Sequence, residues 1–264
     1  LRRLPDVDPA VLESQVRGLA NVLGPLGGHE EEAEALYLES LQLCREIHDG
    51  DHVMVAYALD NLAIHYDFAG DREKAEPLYR EALAMLDRVY DGDHPEVAQT
   101  MGNVAGFLVA WFDPEIDDAD AILGEAEGLY RGAIEMHERY RPGHPMIGDG
   151  LAGLADIEML RGDPEASLDL WHEAIAVYEG KLDPGHPKLV SGQLGLAGTW
   201  LDLQRAPEAE VLLRSVYASL DESVDDETRW ATVELLVETY DALGRADEAK
   251  RFRALLPDTP TDSR

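Results

Sequence analysis

Residues 52–94 read HVMVAYALDNLAIHYDFAGDREKAEPLYREALAMLDRVYDGDH. In this stretch Leu59, Leu62, Ala63 and Tyr66 fall at i, i+3, i+4 and i+7, a single apolar stripe along a helix. Ala69-Gly70-Asp71 interrupts the pattern, and a second stripe follows at Ala75, Leu78, Tyr79, Ala82 and Leu83. Gly70 punctuates the turn, and the Asp71 carboxylate can cap the helix that follows. Glu73, Lys74 and Glu76 fall on the wet face. The stretch is therefore expected to form a hairpin of two amphipathic helices. Ala63 and Ala75 belong where the two helices cross closest, and Ala82 where the next unit packs. A larger side chain at any of the three would push helices apart. Tyr66 and Tyr79 fill the wider gaps.

Outward from this unit the pattern recurs. Gly50-Asp51-His52, Gly92-Asp93-His94-Pro95, Pro142-Gly143-His144-Pro145 and Pro184-Gly185-His186-Pro187 place histidines 42, 50 and 42 residues apart, each before a helical stripe. The same small and aromatic positions return as Ala105, Ala126, Tyr130 and Ala133, then as Ala155, Ser167, Trp171 and Ala174. They return again as Ala197, Trp200 and Ala209, with Leu213 and Val216 where Tyr and Ala are expected. The last unit keeps Leu236, Tyr240, Gly244 and Ala249 with Val237 in an Ala position, and the first keeps Ala20, Ala33, Tyr37 and Ser40. The expected organisation is a linker-like segment at 1–10, then six hairpins at 11–51, 52–93, 94–143, 144–185, 186–227 and 228–256, and a tail at 257–264. The expected fold class is an all-α, right-handed solenoid with less regular end units as caps.

These units resemble tetratricopeptide repeats. The 42-residue period, the Gly-Asp-His-Pro junction, and Asn61 and Asn103 two residues before the close-packing Ala are similar to kinesin light chain-type arrays. The resemblance covers nearly the whole chain and implies a protein-binding scaffold. It does not imply cargo transport, because Gly153 and Gly195 stand where that Asn is expected. Arrays of this type also occur in bacterial proteins, including C-terminal to Ser/Thr kinase domains. Two rivals follow: the regulatory tail of a larger enzyme, which the absence of an initiating Met favours, and a self-association module.

Composition narrows the partner. Asp and Glu number 54 against 22 Lys and Arg, a formal net charge of -32. Such a field repels phosphates and anionic headgroups, so nucleic acid and membrane surfaces are poor partners. It fits either an acidic docking surface for a basic partner or a solvated surface of a salt-adapted or high-GC organism. Cys44 is the single cysteine, which excludes a disulfide framework and points to a reducing cytoplasm.

No cofactor or metal is expected. The junction histidines lie about one helix-packing distance apart along a ridge, on the order of 10 Å, too far to share an ion. Their expected role is to close the junction, with Pro95, Pro145 and Pro187 at the first helical turn. The lengthened third unit holds an insertion over 109–124, whose acids lack the Gly of a calcium loop. Trp111 and Phe112 in it are either partner anchors or seals of the longer turn. Nucleophile-elbow, phosphate-loop and metalloprotease motifs are absent, so no enzyme is expected.

The remaining candidate is the groove lined by the first helix of each hairpin. Helical projection places Tyr57, Asp60, Asn61, Ile64, Asp67, Gln99, Asn103, Gly106, Asp149 and Asp156 there. Asn and Gln can pair with both N–H and C=O of an extended peptide. Glycines lower the groove floor, and the carboxylates favour Lys or Arg in the bound protein or peptide. Arg17 is the one cation projected onto this face. Facing a groove, these side chains are expected to be replaceable with little loss of stability. The sequence leaves the oligomeric state open.

Overall fold

The structure, a computed structural model, describes residues 8–26, 28–115, 118–220 and 224–257. The expected linker at 1–7, Ile116 and Asp117 of the insertion, and the tail at 258–264 lie outside the described residues, as do Gly27 and 221–223. Among the described residues every regular element is helical: α1 (Pro9–Leu23), α2 (Glu30–Ile47), α3 (Val53–Phe68), α4 (Arg72–Tyr90), α5 (Pro95–Ala110), α6 (Ala119–Tyr140), α7 (Pro145–Leu160), α8 (Pro164–Glu179), α9 (Pro187–Asp202), α10 (Ala206–Ser219), α11 (Asp226–Ala242) and α12 (Ala246–Arg253). The fold class is an all-α repeat solenoid. Helix α1 starts two residues before the expected boundary, because Asp8 accepts a hydrogen bond from the Ala10 amide and Pro9 occupies the first helical turn.

The chain forms two compact units, Leu1–Met136 and His137–Arg264. In the first, α1 packs on α2, α2 on α3, α3 on α4 and α4 on α5. In the second, α7 to α12 pack successively, and α9 also touches α7 and α11. The small positions read from the sequence are all buried: Ala63, Ala75, Ala82, Ala105, Ala126, Ala155, Ala174, Ala197, Ala209 and Ala249 have no exposed surface. Tyr66 and Tyr79 are buried beside them, as are Leu213, Val216 and Val237 at the departing positions. Ser40 stands at an Ala position, and its hydroxyl donates to the buried Glu13 carboxylate of α1 at 2.9 Å.

Turns inside the hairpins share one backbone solution. The amides of Asp71, Asp163, Arg205 and Arg245 reach back to the carbonyls of Tyr66, Glu158, Trp200 and Tyr240 at 2.7–2.9 Å. This is the helix-ending motif that needs a left-handed residue just before the closing amide. Gly70, Gly162 and Gly244 supply it with φ near +79°, +80° and +70°. In the fourth case Gln204 is forced to +58°, a conformation that a Cβ penalises. Asp71 and Asp163 then cap the next helix, accepting from Lys74 and Ala166 amides at 3.2 and 3.0 Å.

The repeated histidines are N-caps. Nδ1 of His52, His94, His144 and His186 accepts the amide of the residue two ahead, at 3.1, 3.2, 3.3 and 3.2 Å. A ring nitrogen here does what a Ser or Asp oxygen usually does, and the proton must sit on Nε2. His52 stacks on His48 with centroids 3.5 Å apart, and His94 on Tyr90 at 3.7 Å, so each cap also ties its helix to the preceding one.

Candidate functional site

First helices of consecutive hairpins lie side by side within each unit, and their polar side chains bridge them. In the first unit Tyr57 of α3 donates its hydroxyl to the Glu96 carboxylate of α5. Asp60 Oδ2 accepts from Asn103 Nδ2 at 3.0 Å. Asp67 Oδ1 accepts from Trp111 Nε1 at 2.6 Å, and its other oxygen from the Tyr79 hydroxyl at 3.3 Å. In the second unit Asp149 of α7 accepts from the Tyr178 hydroxyl at 2.8 Å and pairs with Lys188 of α9.

The expected residues thus divide into two groups. Tyr57, Asp60, Asp67, Asn103 and Asp149 are engaged with one another or with neighbours and form the walls. Asn61 is half-buried and Gln99 exposed, and neither amide has a partner among the described residues. Asp156 is also open to solvent. Ile64 is half-buried, beside a pocket. Gly106 is half-buried; a Cβ there would meet the Tyr130 hydroxyl at 3.4 Å. Arg17 is held by Glu13 at 3.0 Å, so its charge is neutralised locally.

Asp60 is the unusual member. It is 9% exposed, and Oδ1 has no hydrogen-bond partner among the described residues. Desolvation pushes its carboxyl up to about 6, against the opposing pull of the Asn103 amide. Asp156 is reached by solvent but crowded by protein, and this partial desolvation raises its carboxyl to about 6 as well. The Tyr57 hydroxyl is raised by burial and by its bond to Glu96.

The expectation that these side chains are dispensable for stability does not fit this arrangement. Asn103 is the partner of a buried carboxylate, so its loss strands Asp60. The expected role of glycine is also revised at one position. A Cβ on Gly195 would overlap the Trp171 indole, so the bulky group that this glycine admits is the chain's own.

Trp111, Glu96 and Lys188 complete the walls. The sequence offered one signal for them: each sits 39–44 residues after the residue it binds, one repeat along. Of the two roles open to Trp111, the seal fits: its indole holds Asp67, its carbonyl accepts from Arg72 at 2.9 Å, and its ring tilts against Phe107.

Comparisons with known proteins agree with this geometry. Tetratricopeptide repeat models match residues 11–88 and 151–188. No curated protein matches. A Podosopora anserina protein of nearly identical tetratricopeptide-like repeats, described as a kinesin light chain, is 21% identical over 80% of this chain and 94% of its own, with a TM-score of 0.63. BtubC (BKLC) from P. vanneervenii is 20% identical over 89% of this chain and 96% of its own, with a TM-score of 0.69. A thermophilic tetratricopeptide protein of Thermus thermophilus is 18% identical over 88% of this chain and 98% of its own, with a TM-score of 0.58. At these identities the likeness is one of fold.

Proposed function

From the premise that this chain is a tetratricopeptide-repeat protein of the kinesin light chain-like kind, we propose that it is a non-catalytic cytoplasmic scaffold that binds a protein segment along the faces of its first helices. Tetratricopeptide arrays are in general protein–protein interaction scaffolds. The observation that carries the reading is the division of the face into engaged walls and free amides. Bonds such as Asp60–Asn103 and Asp67–Trp111 fix the face before a partner arrives, which lowers the ordering cost of binding. Asn61 and Gln99 stand free between them to meet a peptide backbone. The acidic surroundings favour a segment carrying Lys or Arg. Charge then acts mainly on the rate of association, and apolar anchors supply most of the affinity.

The test is a double substitution that leaves the walls intact. Asn61→Ala with Gln99→Ala is expected to weaken binding of the cellular partner about tenfold, or ~1.4 kcal/mol, with the melting temperature unchanged. A partner that binds this variant normally, and loses binding when the exposed second-helix acid Glu73 is reversed in charge, contradicts the reading.

A further inference from the structure

A pocket of about 450 Å³ opens beside Ile64 in the first unit. Gly24 and Pro25 of the α1–α2 turn, Tyr37 of α2, and Ile64 and Phe68 of α3 form most of its wall, and Glu30 stands at its rim. Phe68 is 91% exposed and Leu26, next to Pro25, is 50% exposed, although large apolar residues are otherwise concentrated in the core. An aromatic ring held in water beside an apolar cavity is a mark of an interaction surface.

The rim has a definite sign. Glu30, Glu31 and Glu32 open α2, and Glu30 and Glu31 have no Lys or Arg partner among the described residues. The Glu30 carboxyl is held low by the Gly28 amide, which donates to it at 2.9 Å, so it stays ionised. Glu34, one turn further, accepts from the Tyr66 hydroxyl at 2.7 Å and has Lys74 4.0 Å away. Lys74 is itself held by Asp71 at 2.9 Å. His65 in the pocket wall is buried, and desolvation lowers its pKa, so it adds no charge at neutral pH. The pocket is therefore apolar inside and anionic at its mouth.

We infer that this pocket is the anchor site of the bound segment and takes a large apolar side chain, Leu, Met or Phe, flanked within one helical turn by Lys or Arg. The inference rests on the reading that the first-helix faces bind a protein segment, since Ile64 belongs to both. An apolar anchor in a desolvated pocket beside a charged rim is how most binding energy is concentrated in few residues. The rim carboxylates reject an acidic segment by like-charge repulsion.

A displayed random-sequence peptide library, panned against the whole protein, tests this. The enriched sequences are expected to share a large apolar residue close to Lys or Arg. A synthetic peptide of that consensus is expected to lose at least tenfold in affinity on Phe68→Ala, and several-fold on Glu30→Gln with a weaker salt dependence. The exposure of Phe68 lets the variant keep its fold, checked by an unchanged melting temperature. An acidic or purely polar consensus, no enrichment, or peptides indifferent to Phe68 overturns the inference. So does a change in oligomeric state on Phe68→Ala, read by light scattering, which would assign the pocket to a second copy. Peptides indifferent to Phe68 but weakened by Asn61→Ala with Gln99→Ala remove the pocket and leave the face reading intact. Peptides indifferent to both remove both.

Discussion

The pair of Asp60 and Asn103 sets the chemistry of the face residue by residue. A carboxyl with its pKa raised from 3.8 to about 6 in the folded state binds its proton more tightly there than in the unfolded chain. Its contribution to stability is complete below the unfolded value and is lost as pH rises through about 6. Asp60→Asn is expected to remove that loss. Thermal melts should show the variant gaining on the wild type between about pH 4 and pH 8, by on the order of 2–3 kcal/mol. A difference independent of pH would show that Asp60 is not desolvated. Asn103→Ala is expected to cost about 1–3 kcal/mol at neutral pH, because the buried carboxylate then has no partner. The cost should shrink at mildly acidic pH as Asp60 takes up a proton, whereas Asn61→Ala should stay within about 0.5 kcal/mol. Gly195→Ala is expected to destabilise by about 1–3 kcal/mol through overlap with Trp171, and Trp171→Phe in the same chain should recover part of it. The sequence told which residues share a helix face, because helical projection is set by backbone geometry. Whether a polar side chain on that face is free or engaged depended on residues such as Trp111, a repeat away in sequence, and periodicity carries no information on that.

The hairpin turn and the junction cap explain how each element is delimited. Gln204 holds a left-handed conformation that glycine holds in three equivalent turns. Gln204→Gly is expected to stabilise by about 0.5–1 kcal/mol in chemical denaturation, relief of the Cβ clash outweighing the added chain entropy. No gain would mean that the strain is relieved elsewhere. The histidine caps predict their own substitution pattern. His94→Ala is expected to cost about 0.5–2 kcal/mol, and His94→Asp, which restores an acceptor, distinctly less. The repeated Gly-Asp-His-Pro phrase made the junctions legible, because caps and turns are short-range chemistry. That the cap is the imidazole itself was not legible, since His is not among the usual capping residues. The start of α1 at Pro9 was missed by two residues, although Asp8-Pro9 carries the cap and first-turn pattern of a helix start.

For the molecule as a whole, the small residues at fixed intervals were enough to specify the fold class, because close helix crossings admit little else. Charge was legible as a number, and its placement was not: Arg17 and Lys188 are neutralised by Glu13 and Asp149, while the Glu30–Glu32 run keeps an uncompensated rim. Association with a basic partner should therefore slow as salt is added, with a smaller effect on dissociation. The central claim, that partners meet the first-helix faces, is tested most directly by photo-crosslinking in extracts of the source cells. A photoreactive residue is placed in turn at Asn61 and Gln99 on first helices, and at the exposed Glu73 and Glu173 on second helices. The account predicts partner adducts from Asn61 and Gln99 and none from Glu73 and Glu173; adducts from Glu73 or Glu173 alone would contradict it.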